Sequence, residues 1–258
     1  MSSEPFVSRF IMATVPPGDD VYELFVRGAD VIGAVNKITG VLSDGGVNFT
    51  SSHGQMDEDG KTFANAFFCT MGGAKLSPED LKRRVEKLPF VTEVRLEPMK
   101  GGMYEKFMFP LKAMFAGRVL SVGASAFADM EERLTEIFGT AGGTMAYEQG
   151  KAYAESTIAD LGSYMEKVGA RWDLGNIQDL FRAQGWGVVG ITETATGYEV
   201  SVKHPPVGKK EEGPGRFVVG MIIGMLEHYG QGHMAAEPVR KDAGTETFTF
   251  TVRKARRG

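Results

Sequence analysis

The sequence predicts an α+β protein of two domains, an N-terminal ferredoxin-like βαββαβ unit followed by a C-terminal mixed α/β unit. Three observations carry that prediction. Between residues 21 and 97 the apolar pattern switches between period two and helical spacing in the order strand, helix, strand, strand, helix, strand. The chain of 258 residues exceeds a typical single domain. Glu97-Pro98-Met99-Lys100-Gly101-Gly102 breaks both periodicities, so a linker is expected at 98–103.

Residues 1–20 hold an apolar stretch, Phe6 to Val15, closed by Pro16-Pro17-Gly18, and read as an N-terminal arm or extra strand. From Val21, Tyr22, Leu24 and Val26 alternate with Glu23, Phe25 and Arg27 in a strand. Asp30 can cap the helix that follows. Its Val31, Val35, Ile38, Val41 and Leu42 form a core-facing stripe, and Gly45-Gly46 ends it. Val47 to Gln55 is a strand, and after a turn at Asp57 to Gly60 the chain returns over Lys61 to Met71, with Phe63, Asn65, Phe67 and Cys69 on one face. Ser77 N-caps the second helix, with Pro78 in its first turn and Leu81, Val85 and Leu88 on its inner side. Val91 to Leu96 supplies the fourth strand. Such a sheet with two helices on one face implies no function by itself.

The segment from Gly33 through Ile38, Gly40, Val41 and Leu42 to Val47-Asn48-Phe49 resembles the opening signature of ACT regulatory domains: a glycine at the helix start, an aliphatic stripe, a glycine, then a strand with a central Asn. The resemblance covers residues 21–97. Ile32 stands where the family usually has a proline. ACT domains commonly pair side by side and bind amino acids at the loop before the first helix. The resemblance therefore nominates Asp30, Gly33 and Asn48 as an effector site, an amino acid as its ligand, and a homodimer as the assembly.

After the linker, Arg118 to Val122 reads as a short strand and Ser125 as the cap of a helix. In that helix Phe127, Met130, Leu134, Ile137 and Phe138 are expected inside, and Asp129, Glu131, Glu132 and Arg133 in water. Gly142, Ala146, Gly150 and Ala154 recur every four residues, a seam for close helix packing, and Ile158, Leu161, Met165 and Val168 mark another helix. A phosphate loop is not indicated, because the Gly-Lys-Ser/Thr ending is absent. Asp173 can cap a helix that Gly185 stops, and Trp186–Ile191 with Tyr198–Val202 form a hairpin about Gly197. Pro205 to Gly215 is a candidate lid. Phe217, Val218, Met221, Ile222, Met225 and Leu226 then recur at helical spacing beside Gly220 and Gly224, followed by two closing strands.

Leu180 to Gly187, then Gly215, Gly220 and Gly224, then Glu237, Gly244 and Phe250 resemble the 4-vinyl reductase-like (hydrocarbon-binding) domain family. That family is related to sensory domains of aromatic-responsive transcription activators and shares its fold with Golgi-transport and haem-nitric-oxide-binding proteins. The resemblance covers residues 105–252 and implies a second domain at 104–252, with a basic tail at 253–258. It implies a mixed α/β fold whose helices enclose an apolar pocket. Many members carry three cysteines and a glutamate that look like a structural zinc set. Here those positions read Gly215, Glu237, Arg240 and Phe248, and one carboxylate cannot hold zinc. No metal is expected there, and Phe248 is expected to pack inward.

The formal net charge of −4 gives no general attraction to nucleic acid or anionic membranes. One cysteine, Cys69, rules out an internal disulfide and a multi-thiolate metal site within the chain. The longest apolar run, Phe217 to Leu226, is too short to span a membrane and no signal pattern opens the chain, so a cytoplasmic protein with no membrane or nucleic-acid partner is expected. Nucleophile-elbow, HExxH, CxxC and Rossmann signatures are missing, so no catalytic residue and no cofactor are nominated. His228 and His233, with Glu227 and Glu237, have no recognised ligand spacing and read as exposed or capping residues.

What remains is an apolar pocket built from Phe127, Met145, Tyr153, Trp186, Met221, Met225 and Tyr229, in which Trp186 and Tyr229 bring polar handles. The expected function is that of a non-enzymatic sensor or regulatory protein. Its C-terminal domain would bind an apolar, aromatic or lipid-like molecule, the ACT-like domain would supply pairing or a second effector, and the output would pass through a partner protein. An accessory protein or reductase in tetrapyrrole pigment metabolism, and a dimeric scaffold without ligand, are the alternatives.

Overall fold

Alternating side chains in the first hundred residues build a sheet with one face under helices. The computed structural model describes residues 12–13, 20–57, 60–99, 103–104, 106–108, 111–113, 117–169, 173–207, 215–241 and 247–254. Two units divide the chain, residues 1–110 and 111–258. The first holds β1 (Met12–Ala13), β2 (Val21–Ala29), α1 (Ala34–Asp44), β3 (Asn48–Met56), β4 (Thr62–Thr70), α2 (Pro78–Glu86), β5 (Val91–Pro98) and β6 (Met103–Tyr104). Its four-stranded sheet has the order β3-β4-β2-β5 with every neighbour antiparallel, which is the ferredoxin-like arrangement. Leu24, Val26, Phe63, Phe67 and Cys69 from the central strands pack against Ile38, Leu42, Leu81 and Val85 from the helices.

The start of α1 differs from expectation. Gly33, at φ 82°, is its N-cap and no side chain caps it, so Asp30 does not fill that role. Ser77 does cap α2, accepting the Asp80 N–H at 3.1 Å, with Pro78 in the first turn. Beyond β5 the chain stays with the first unit, crossing the sheet face opposite the helices. Met99 is buried with Val21 and Phe68, the Phe107 ring lies 5.9 Å from that of Phe25, and the Lys106 N–H donates to the buried Glu23 carboxylate at 3.0 and 3.2 Å. The units therefore divide at Pro110, beyond the 98–103 stretch. Within the N-terminal arm, β1 pairs with β6; residues 1–11 and 14–19 lie outside the described residues.

The second unit holds β7 (Lys112–Ala113), β8 (Gly117–Arg118), α3 (Ala124–Phe138), α4 (Thr140–Val168), α5 (Leu174–Gln184), β9 (Val188–Thr194), β10 (Gly197–Lys203), α6 (Arg216–Tyr229), β11 (Met234–Ala236), β12 (Arg240–Lys241) and β13 (Thr247–Lys254). Its antiparallel sheet runs β11-β13-β10-β9, with β12 also on β13. The protein is thus α+β, with two antiparallel sheets in separate units.

Residues 140–168 form one helix where the sequence suggests two segments, because Glu155-Ser156-Thr157 contains no breaker. The small-residue seam sets how α4 and α6 meet. An ideal Cβ on Gly150 would lie 2.1 Å from the Phe217 carbonyl oxygen, and one on Gly220 2.0 Å from that of Tyr147. No side chain fits either distance, so glycine is what lets the two backbones touch. A capping box of Asp173 and Asn176 starts α5, and Gly185 at φ 80° stops it, as the sequence predicts.

The orientation of α3 overturns the expected face. Met130, Ile137 and Phe138 are 62, 56 and 52% exposed, while Ala128 and Glu131 are buried. Two contacts turn the helix this way. An ideal Cβ on Gly142 would fall 2.2 Å from the Leu134 carbonyl oxygen, so α3 and α4 pack backbone to backbone. Glu131 meanwhile reaches the first turn of α6, whose N–H groups lack partners within their own helix, and accepts the Phe217 N–H at 3.1 Å. Ser125 lies within α3, whose N-cap is Gly123. Among the described residues no helix is long and apolar enough to cross a membrane.

Candidate functional site

Between the end of β2 and the start of α1, Asp30, Val31, Ile32 and Gly33 turn across one end of the first sheet. The Asp30 N–H donates to the Lys61 carbonyl at 2.8 Å, tying this turn to the β3–β4 hairpin. In that hairpin Gly54 stands opposite Asn65 and Met56 opposite Phe63. Strand alternation turns all four toward the helix side of the sheet. The turn, the first residues of α1 and this end of the hairpin enclose an open cleft of about 700 Å³. Val31, Val35 and Met56 give it exposed apolar walls, and Asp30, Asn36 and Gln55 contribute polar groups.

Asn65 lines the same cleft from β4. It is 6% exposed, and its Oδ1 has no hydrogen-bond partner among the described residues. A buried amide oxygen left in this state costs about 1–3 kcal/mol. Gly54 makes room for it, since an ideal Cβ there would sit 2.6 Å from Asn65 Nδ2. A cleft with apolar walls, amide side chains and one acid suits a small amphiphilic ligand. Of the residues nominated from sequence, Asp30 and Gly33 line the cleft. Asn48 lies opposite Thr70 at the far end of β3, ~20 Å from Gly54 at the usual strand rise. Asn65 is the member the sequence did not nominate; its signal was a lone amide in the otherwise apolar run Phe63 to Cys69.

In the second unit, Phe127 of α3, Tyr153 of α4, Trp186 after α5 and Phe217 of α6 form an aromatic cluster. Ring centroids are 4.8 Å apart for Phe127–Phe217, 5.0 Å for Phe127–Trp186 and 6.0 Å for Tyr153–Trp186. The Gln184 Oε1 accepts from Trp186 Nε1 at 3.1 Å and from the Tyr153 hydroxyl at 3.4 Å. Three nominated residues therefore meet, joined by Phe217, which the sequence did not single out for the pocket. Met221 and Met225 are fully buried in the same core, Tyr229 packs with Tyr198 at 6.5 Å toward the end of α6, and Met145 is exposed on α4. The candidate lid falls largely on 208–214, outside the described residues.

At the four zinc-equivalent positions, Gly215 is the N-cap of α6, Arg240 stands opposite Thr249, Phe248 is buried, and Glu237 pairs with Arg253 at 2.7 Å. No group of three metal-capable side chains occurs among the described residues. Glu227 instead clasps two elements, accepting Lys151 Nζ at 2.7 Å and the Met234 N–H at 2.9 Å. Burial opposes its ionisation, but Lys151, the Met234 N–H and His233 together hold its pKa below the usual carboxylate value. Burial pushes the Cys69 thiol up to about 12, so it stays protonated and unreactive.

Solved structures similar to this chain include a vinyl-4-reductase family protein and ACT domains. The vinyl-4-reductase family protein, from Methanocaldococcus jannaschii, is 18% identical with a TM-score of 0.39, covering 53% of this chain and 84% of its own. The ACT domain from GTP pyrophosphokinase of Chlorobium tepidum is 21% identical with a TM-score of 0.26, covering 31% of this chain and 99% of its own. No protein-family model matches the chain, and no curated protein matches it either. These likenesses concern the fold alone.

Proposed function

We propose that this chain is a non-enzymatic regulatory protein that binds a small amphiphilic effector in the cleft between the β2–α1 turn and the β3–β4 hairpin. The observation that carries this reading is the cleft itself, about 700 Å³ in volume and open to solvent, with apolar walls at Val31, Val35 and Met56 left uncovered. Pairing of two copies fits the same unit. β3 is an edge strand, and exposed Phe49 and Met56 lie along it. The reading is tested by thermal-shift measurements and native mass spectrometry with small amines, amino acids and short fatty acids. Stabilisation by at least one of these, with a bound mass to match, supports it; a melting temperature that none of them moves would sink it.

A second ligand, apolar or aromatic, is proposed for the cluster of Phe127, Tyr153, Trp186 and Phe217. The observation favouring it is that Phe127, Tyr153 and Trp186 stay half-buried while Gln184 holds the two polar handles in place. Titration with a phenol or a fatty acid should change Trp186 fluorescence. Emission unchanged throughout, together with an empty N-terminal cleft, would favour a scaffold without ligand.

A further inference from the structure

We infer that β6 and residues 106–108 form a displaceable strap. It occupies in cis a docking groove on the N-terminal sheet, and the partner that fits this groove is an extended segment bearing a lysine followed by an aromatic residue. The groove lies on the sheet face opposite α1 and α2, where alternation places Val21, Glu23 and Phe25 of β2. Phe68 and Glu97 stand directly opposite Glu23 on the two flanking strands, and Arg95 stands opposite Phe25. Two ionised carboxylates facing each other across a strand pair repel. Lys106 answers both of them. Its N–H donates to Glu23 at 3.0 and 3.2 Å, and its Nζ donates to Glu97 at 3.2 Å and to the Pro98 carbonyl at 3.3 Å. Phe107 completes the recognition: its ring lies 5.9 Å from that of Phe25, and the Arg95 guanidinium sits over the Phe25 and Phe107 rings at 5.9 and 5.5 Å.

The same contacts make the strap separable. With the strap in place Glu23 is fully buried, and the cost of stripping water from a carboxylate offsets much of what the Lys106 N–H returns. The Lys106–Glu97 pair is exposed to solvent and therefore weak. β6 adds a ladder of only two residues with β1, whereas β2 beneath it is paired along both sides. Strap and groove thus recognise each other through specific groups while adding little net stability, which is what exchange for a segment of the same chemistry requires. A segment arriving in trans competes with the strap at a roughly millimolar effective concentration, so the strap sets a threshold for docking.

Native-state amide hydrogen exchange on the full chain tests the strap without any substitution. The Lys106 N–H should be protected, yet exchange about 100-fold faster than the β2 amides of Leu24 and Val26. Protection equal to theirs would show that the strap opens only when the whole domain unfolds, and an unprotected Lys106 would show that the strap is not docked; either result overturns the inference. The groove is tested with a fluorescently labelled peptide of residues 99–110. It should bind the Phe107→Ala chain, whose strap has lost its ring anchor, about ten-fold more tightly than wild type. The same peptide carrying Lys106→Glu should bind neither protein. Equal affinity for the two proteins, no binding to Phe107→Ala, or binding of the Lys106→Glu peptide would contradict a groove that the strap fills in cis. None of these readouts involves the cleft before α1, so its ligand panel and this test succeed or fail separately.

Discussion

The Glu131 carboxylate accepts a hydrogen bond from the Phe217 N–H at 3.1 Å, joining α3 to the first turn of α6 across 86 positions of sequence. Burial raises the Glu131 pKa, and the Phe217 and Arg216 N–H groups with the Arg216 charge only partly offset that. Because the folded value lies above the unfolded one, the folded state holds the proton over the window between them. The stabilisation from this group is complete below the ordinary carboxyl pKa and is lost as pH rises through the raised value. Glu131→Gln keeps an acceptor and removes the titration. Urea denaturation from about pH 4 to pH 7 should show less loss of stability with rising pH in the variant than in wild type. Identical pH dependence would show that Glu131 titrates as in the unfolded chain.

Gly220→Ala should destabilise the protein by about 3 kcal/mol, because the added methyl would meet the Tyr147 carbonyl oxygen at 2.0 Å and force α4 from α6. Gly162→Ala on α4 is the control. No atom lies within 4 Å of an ideal Cβ there, so it should gain a few tenths to about 1 kcal/mol from helix propensity. Denaturation midpoints of the two variants, displaced in opposite directions from wild type, are the expected result.

Lys151→Met should cost about 1–3 kcal/mol at neutral pH, since it leaves Glu227, whose side chain is 16% exposed, without its close cation. The sign with pH follows from the lowered Glu227 pKa. Its contribution is present above the ordinary carboxyl value and lost as pH falls through the depressed one. Removing Lys151 should therefore flatten the acid limb of the stability profile. A variant that tracks wild type across that limb would assign the depression to the Met234 N–H instead.

Much of the fold is legible in local chemistry. Ser77-Pro78, the Asp173 capping box and Gly185 mark helix ends through interactions that span a few residues, and the alternation along Val21–Val26 and Phe63–Cys69 identifies buried strands. The face of α3 was not legible. Its apolar side chains gather on the expected inner side and its acids on the other, but the orphan N–H groups of α6 capture Glu131 from a helix 86 positions away, and no local pattern reports such a partner. The cleft was half legible for the same reason. Asp30 and Gly33 announce themselves as a turn before a helix, whereas Asn65 becomes a site residue only once the register places it opposite Gly54.

Zinc should leave the melting temperature unchanged. Glu237 is engaged with Arg253 at 2.7 Å, and Phe248, buried opposite Val202 on β10, offers no donor. Fluorimetry with and without added zinc is sufficient, and a clear rise would point to a donor set other than these four positions.

The most direct test of the central claim is a backbone amide ¹H–¹⁵N correlation spectrum of the labelled chain, recorded with increasing concentrations of small amines, amino acids and short fatty acids in turn. Shifts concentrated at residues 30–36, Gly54 and Asn65 are the predicted result. Saturating perturbations confined to the aromatic cluster around Trp186, or a spectrum that no member of the panel changes at its highest concentration, would contradict it.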